Sequence, residues 1–346
     1  MKQYTIKEAD ITKDKEKIIS LLKSDQRCMS NAIYKWKYLN YPYGAPRVWF
    51  VIHNKTDEIV GSGSLFPRKL SINGKMISVA NPADLVIKKK HRSLFPALKL
   101  EQEVINQFKK NDSSFIYSHS KENTKPVFAR LGYEKIGNYK QFVKLLKIRA
   151  IPDKHLPSFL NLFFVKIILD LFLPLFSKEY FLIKKYDYNI EILKKFDARF
   201  DKFYESISKQ FDIIGDRGKK YLSWRYTSDP RYDYRIFCLT ENNIILGYII
   251  FINKDNTYYI DDFAYRSNYI NPLITEFIFY SRKNEIGAIE FRYMGNYDFI
   301  KKLKKYNFFN LKSRDREILL YSDKIKSKSY LLDNSSWHFL THDKNV

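Results

Sequence analysis

At 346 residues the chain is longer than a single hydrophobic core usually serves, so two domains are expected. A formal charge of +23 points either to anionic partners such as nucleotide phosphates, nucleic acid or an anionic membrane surface, or to the Lys-rich composition that an AT-rich genome encodes. Only Cys28 and Cys238 are present, which excludes a disulfide framework and a cysteine-rich metal site, and no metal is expected.

The N-terminal stretch MKQYTIKEADITKDKEK lacks the apolar core of a signal peptide, so a cytoplasmic protein is expected. Next comes Tyr34-Lys-Trp36-Lys37-Tyr38, with Pro42 six residues beyond the tryptophan. Residues 48–53 and 59–66 read as two strands around a polar turn, the second holding Gly61. A further strand runs through Val86 and Ile87, with Asp84 at its start, and leads into the basic run Lys88–Arg92. Residues 92–97 then enter a helical run from Ala97 to Phe108, and Pro96 suits a first turn, where its missing N–H goes unnoticed. An apolar strand over 114–117 ends at Tyr117, with His119 just beyond, and Asn123 opens the helical segment NTKPVFARLGY.

Residues 148–194 read as a helical linker containing the apolar segment 156–176. That segment has the length of a membrane span, but Lys166 and Asp170 lie in its middle, where each charge costs about 2.5–3.5 kcal/mol. Their i,i+4 spacing lets them pair on one face, and Pro174 breaks the last turn. The segment therefore reads as a helix docked on protein or resting in a membrane interface, which would make the protein peripheral at the inner face.

The second part of the chain repeats the first. Tyr221-Leu-Ser-Trp224-Arg225-Tyr226, with Pro230 six beyond, restates the earlier motif 188 positions later. Residues 234–239 and 244–251 form another strand pair, with Gly247 in its second member. A strand over 258–260 runs into Asp261 and Asp262, whose side chains point to opposite faces and so make a poor shared site. An apolar strand over 289–293 and a charged helix close the unit, as in the first copy. The reading is a mixed α/β protein with an N-terminal domain over 1–147, the linker 148–194, a C-terminal domain over 195–325 and a tail over 326–346. The paired Trp36, Tyr38, Trp224 and Tyr226 either line acceptor sites or pack helices on their sheets.

This element order, with Arg92-Ser93-Leu94-Phe95-Pro96-Ala97 between strand and helix, resembles the GNAT superfamily of acyl-CoA N-acyltransferases. It looks more narrowly like bacterial tandem-domain members associated with surface polysaccharide synthesis. The resemblance implies two GNAT-like domains, of which the second, without glycine in Arg266–Pro272, is degenerate. It implies acetyl-CoA or another acyl-CoA as co-substrate, held by Val86, Ile87, Arg92, Ser93, Leu94, Phe95, Pro96, Ala97 and Asn123. Amides at the helix N-terminus would converge on the pyrophosphate. Two positions depart from the family pattern: Phe95 replaces the first loop glycine, and Phe128 replaces the tyrosine that lies near the leaving thiolate in relatives.

The reaction expected is attack of an amine or hydroxyl on a thioester, with a sugar or glycan intermediate as acceptor. Asp84, Tyr117 and His119 are the candidate acid–base groups; an imidazole has an ordinary pKa of about 6.5. Two other readings stand beside it. One is a tRNA-dependent aminoacyltransferase of the peptidoglycan-bridge type, favoured by net charge; the other is an inactive binding module, favoured by Phe95 and Phe128. Interleaved Tyr and Lys elsewhere match no recognised nucleic-acid module, so nucleic acid is not an expected partner of the lead reading.

Overall fold

The computed structural model describes residues 3–110, 112–120, 124–148, 166–168, 170, 179, 188–312, 315–325 and 329–344. Asn123 and nearly all of the segment 156–176 lie outside them. Among the described residues no helix is long and apolar enough to cross a membrane.

The first half runs β1 (Tyr4–Ala9), α1 (Lys15–Ser24), α2 (Asn31–Tyr34), β2 (Arg47–His53), β3 (Glu58–Ile72) and β4 (Lys75–Ile87). It continues through α3 (Leu94–Lys109), β5 (Ile116–Ser120), α4 (Lys125–Arg130) and β6 (Glu134–Leu145). The β3–β4 hairpin closes on Asn73-Gly74, both at positive φ, the two-residue turn whose twist matches paired strands. The second half opens with β7 (Asn189–Leu193), α5 (Arg199–Ile207), β8 (Ile213–Gly215) and α6 (Lys219–Leu222). The strands β9 (Arg235–Glu241), β10 (Ile244–Lys254) and β11 (Thr257–Tyr265) turn on Asn242-Asn243 and Asp255-Asn256, again left-handed pairs. Then come α7 (Ile270–Lys283), β12 (Ala288–Gly295), α8 (Tyr297–Lys305), β13 (Phe309–Asn310), β14 (Arg316–Tyr321), α9 (Ser329–Leu332) and β15 (Trp337–Phe339).

The apolar stripe of α3 (Leu100, Val104, Ile105, Phe108) packs with Val51, Val60, Ile116 and Phe128 on the first half of the sheet. In the second half Leu273, Phe277 and Ile278 of α7 meet Phe299 and Leu303 of α8 over Ile249, Ile260 and Phe291. Each stripe recurs at three and four residues, the spacing of one helix face.

The two halves interleave. β14, assigned above to the C-terminal domain, pairs antiparallel with β5 on one side and β6 on the other. The latter half of β6 in turn pairs with β12, from Lys140↔Tyr293 to Leu145↔Ala288. β12 also meets β15, β15 meets β8, and β8 meets β3. The ladder β3-β4-β5-β14-β6-β12-β15-β8 therefore closes on itself around a core that includes Leu70, Tyr117, Tyr139, Ile318, Trp337 and Phe339. Closure removes edges that would otherwise expose unpaired backbone. The boundary at 325 and the reading of 326–346 as a tail are corrected accordingly. Those last residues fill the seam: Asp343 accepts from the buried Arg217 at 2.9 Å, and His342 Nε2 lies 2.9 Å from the Asp216 carbonyl oxygen.

Both copies of the tryptophan motif fold alike. In each, a four-residue helix (α2 and α6) widens into a π turn, Lys35–Leu39 and Ser223–Thr227. The Asn40 N–H reaches the Lys35 carbonyl, and the Ser228 N–H reaches Ser223, each one residue beyond the helical partner. The carbonyls passed over are those of Trp36 and Trp224, which are thereby left to bond outside their own turn.

Candidate active site

β4 and β5 start as parallel neighbours and then part. They pair at Ala80↔Ile116, where the Ala80 N–H donates to Phe115 at 2.9 Å. The next rung of a parallel ladder would need an N–H at residue 82, and Pro82 has none. The Asn81 side chain takes over, its Nδ2 donating to the Tyr117 carbonyl at 2.9 Å. Beyond that point a cleft of about 700 Å³ opens between the strands. Residues 81–87 form one wall, with Ser118 and His119 on the other and Val127 and Phe128 of α4 beside them.

A bulge shapes the β4 wall. Ser62 pairs with Val86 and Ser64 with Ala83, so Asp84 and Leu85 together oppose Gly63. Asp84 takes the left-handed conformation at φ 53°, an uncommon one for a residue with a side chain. Its carboxylate accepts from Arg27 at 2.8 Å and from Tyr38 at 2.5 Å, and Lys37 Nζ lies at 2.7 Å. Burial pushes this carboxyl up, but the Lys37 and Arg27 charges outweigh that and hold it below its ordinary value. Such a group is a poor proton acceptor. It suits fixing the bulge rather than the general-base role expected of it. Gly61 is required beside it, since an added Cβ would sit 2.6 Å from the Val86 carbonyl oxygen.

At the mouth, α3 begins at Leu94 with Ser93 in extended geometry before it. Arg92, Ser93, Leu94 and Ala97 line the cleft. The N–H groups of Leu94 and Phe95 belong to the first helical turn, which has no intrahelical acceptor for them. Arg92 is braced by Nε donating to the Ile87 carbonyl at 3.0 Å and by Asp25 at 2.5 Å. Phe95 turns its ring outward, 52% exposed and 6.3 Å from Tyr4, and is absent from the cleft lining. It stands in the helix, outside the left-handed region, so the glycine substitution costs no strain there. Pro96 is buried in the same turn and also leaves the lining to its neighbours.

Tyr117 does not face the cleft. Its ring is buried in the closed ladder against Phe339, and its hydroxyl donates to the Asp343 carbonyl at 2.8 Å. Residues 117 and 119 share a face of β5; the C-terminal segment covers that face at Tyr117, and His119, two residues further along, stands on the cleft wall. His119 does line the cleft and packs edge-on to Tyr139 at 5.9 Å. Lys344 and Glu101 are among the lining residues that escaped the sequence reading. Lys344 reaches the cleft because the C-terminal segment is folded into the seam. Glu101 occupies a core position of α3, is 1% exposed, and its Oε2 has no hydrogen-bond partner among the described residues. Burial with no cation beside it pushes that carboxyl up to about 8. A lone charged residue inside the stripe 97, 100, 104, 105, 108 was the available signal.

Among the described residues β11 and β12 do not part as β4 and β5 do. β11 and β12 pair over four positions to Ile260↔Phe291, and beyond them Phe263, Tyr293, Phe299 and His338 pack against each other. Asp262 is turned to the buried Arg217 at 2.8 Å and Asp261 toward Arg225 at 3.5 Å; Ile250 opposes Asp262 and Phe251 opposes Ile260, so a bulge at Asp261 breaks the strict alternation expected of neighbours on a strand.

No family model matches the sequence, and no curated protein matches it either. Solved structures do. A GCN5-related N-acetyltransferase from Anabaena variabilis superposes with a TM-score of 0.66 at 12% identity, over 92% of this chain and 72% of that one. A probable N-acyltransferase from Enterococcus faecalis gives 0.65 at 11% identity, over 93% and 72%. The fold is that of the GCN5-related acetyltransferases. N-myristoyltransferase from Saccharomyces cerevisiae with bound myristoyl-CoA also superposes, with a TM-score of 0.56 at 13% identity, over 93% of this chain and 79% of that one. Mixed α/β architecture of the GNAT kind is thus shared along most of the chain. Among the described residues no group of His, Cys, Asp or Glu is arranged to hold a metal ion.

Proposed function

We propose that the protein transfers an acyl group, acetyl in the first instance, from acyl-CoA to an amine or hydroxyl acceptor. The observation that carries this reading is the parting of β4 from β5 after Ala80, with the N-terminus of α3 facing the gap. Diphosphate is suited by the first-turn amides of α3 and the Arg92 guanidinium. An extended pantetheine arm is suited by the edge of β4, which Pro82 frees from pairing with β5. Val86 and Ile87 supply the apolar wall on that edge.

His119, at the inner wall, is the candidate to take the acceptor's proton; Asp84 fixes the bulge and Tyr117 belongs to the core. The chain is built on this reading from two GNAT-like units, the first carrying the site and the second closing its far end with Lys344 and the seam. A sugar or glycan intermediate remains the proposed acceptor, and a cytoplasmic site of action the proposed location. The membrane-surface role of 156–176 rests on residues outside the described set.

Calorimetric titration with acetyl-CoA tests the reading, with myristoyl-CoA as a second arm. Wild-type protein is expected to bind acetyl-CoA, and Arg92→Glu to weaken binding at least tenfold. Absence of heat with both donors overturns the proposal. Binding of myristoyl-CoA alone reassigns the acyl chain.

A further inference from the structure

Phe128 lines the cleft. The GNAT resemblance implies a tyrosine near the leaving thiolate at this position, and a phenyl ring has no proton to give. Glu101 lines the same cleft from α3. It lies seven residues into the helix from Leu94, about 10 Å along the axis from the end that faces the phosphates. Its surroundings are apolar: Leu100 and Val104 on its own helix, with Phe128 and Tyr133 among the residues of the same core. Phe128 and Tyr133 touch edge-to-face at 4.8 Å, and the Tyr133 hydroxyl is buried without a hydrogen-bond partner among the described residues. Burial, with the Glu101 and Tyr321 groups adding to it, holds that hydroxyl well above its ordinary pKa. Among the described residues Glu101 makes no ion pair, in contrast to Asp84 on the same lining.

A buried carboxyl without partner destabilises the fold, because charging it there has no compensation. Its position on the wall of the cleft gives it a use. We propose that Glu101 is the proton donor to the departing CoA sulfur, in the role that Phe128 leaves vacant. The proposal rests on the acyl-CoA reading above. As the acceptor nitrogen or oxygen bonds to the thioester carbonyl carbon, the C–S bond breaks with its electron pair on sulfur. The proton of the Glu101 carboxyl passes to that sulfur, and the proton that His119 takes from the acceptor returns to the carboxylate through solvent. Thiol and acylated acceptor leave, and Glu101 is protonated again.

The test follows release of CoA thiol from acetyl-CoA, with hydroxylamine as a small nucleophile, across pH 6–10. Wild-type kcat is expected to fall above about pH 8, where the donor loses its proton. Glu101→Gln is expected to lower kcat 10² -fold or more, remove the alkaline limb, and leave acetyl-CoA affinity within a factor of two. Unchanged kcat with the limb retained overturns the proposal. Infrared difference spectra of wild type against Glu101→Gln at pH 7 give a readout independent of turnover. A protonated-carboxyl band is expected, and its absence overturns the proposal even if no turnover is found. Calorimetry on the wild type separates the two failures, since loss of acetyl-CoA binding condemns the functional reading itself.

Discussion

Trp36 and Trp224 hold each other by a reciprocal exchange. Trp36 Nε1 donates to the Trp224 carbonyl at 2.7 Å, and Trp224 Nε1 donates back to the Trp36 carbonyl at 3.0 Å. Their rings stack with centroids 5.1 Å apart and planes 18° from parallel. Both carbonyls are available because each π turn passes over the one that an α-helix would use. The motif that repeats in the sequence thus meets its own copy in space, across the join of the two halves.

Trp36→Phe and Trp224→Phe each keep a stacking ring but remove one indole N–H, leaving the partner's carbonyl buried and unpaired. Each is expected to cost about 1–3 kcal/mol, read by urea unfolding. Trp36→Ala, which also opens a cavity, is expected to cost about 3–5 kcal/mol. If these tryptophans instead lined an acceptor site, the Phe variants would change acceptor KM and leave the unfolding midpoint in place.

Asp84→Asn leaves Lys37 and Arg27 facing a neutral amide in a buried setting. A loss of about 3–5 kcal/mol is expected, the cost of breaking a buried pair from one side. The pH dependence has a definite sign. The folded carboxyl lies below its ordinary value, so its contribution is complete above the unfolded pKa of about 3.9 and is lost as pH falls through the folded value. Wild-type stability should therefore drop more steeply below about pH 4 than that of Asp84→Asn. Parallel acid unfolding curves would show that the ion cluster contributes nothing.

Asn81→Ala deprives the Tyr117 carbonyl of its donor at the point where β4 and β5 part. A cost of about 1–3 kcal/mol is expected. Adding Pro82→Ala supplies the missing backbone N–H, so the double variant should recover much of that stability by extending the ladder one rung. The same extension draws the strands together and should weaken acetyl-CoA binding. A double variant that regains stability while binding as wild type would show that Pro82 does not set the opening.

What the sequence displayed, and what it hid, follows from the range over which each signal acts. Local patterns were readable: the strands around Gly61 and Gly247, the helix over 97–108, and the strand bearing Val86 and Ile87 are where their periodicity puts them. The helix starts three residues earlier than read, at Leu94, with Pro96 in the first turn as expected. β1 went unread, since its buried ends Tyr4 and Ala9 bracket a mostly polar stretch. The placement of β14 between β5 and β6 was invisible for another reason. Strand pairing over 180 residues leaves no mark in local periodicity, and Arg316–Tyr321 reads the same whichever sheet it joins. Asp84 and Tyr117 were sound choices by residue type and position. What disqualified them is their partners, Lys37 and Arg27 for one and Asp343 for the other, which tertiary structure alone supplies.

Glu101 carries the last prediction. Burial raises its folded carboxyl to about 8, whereas in the unfolded chain a glutamate titrates near 4.3. Between those values the unfolded state holds fewer protons than the folded one, so this group makes stability fall as pH rises from about 4 to about 8. Glu101→Gln removes the dependence. The variant should match wild type near pH 4 and exceed it at pH 8, at about 1.4 kcal/mol per pKa unit and hence by a few kcal/mol in all. Thermal or urea unfolding of the two proteins at both pH values reads the difference directly. A gap that does not change with pH would mean that the carboxyl finds a partner or solvent in the cleft. A gap that widens as expected would identify a position where the fold gives up stability to keep an uncharged acid beside the cleft, the trade that a functional group imposes on its surroundings.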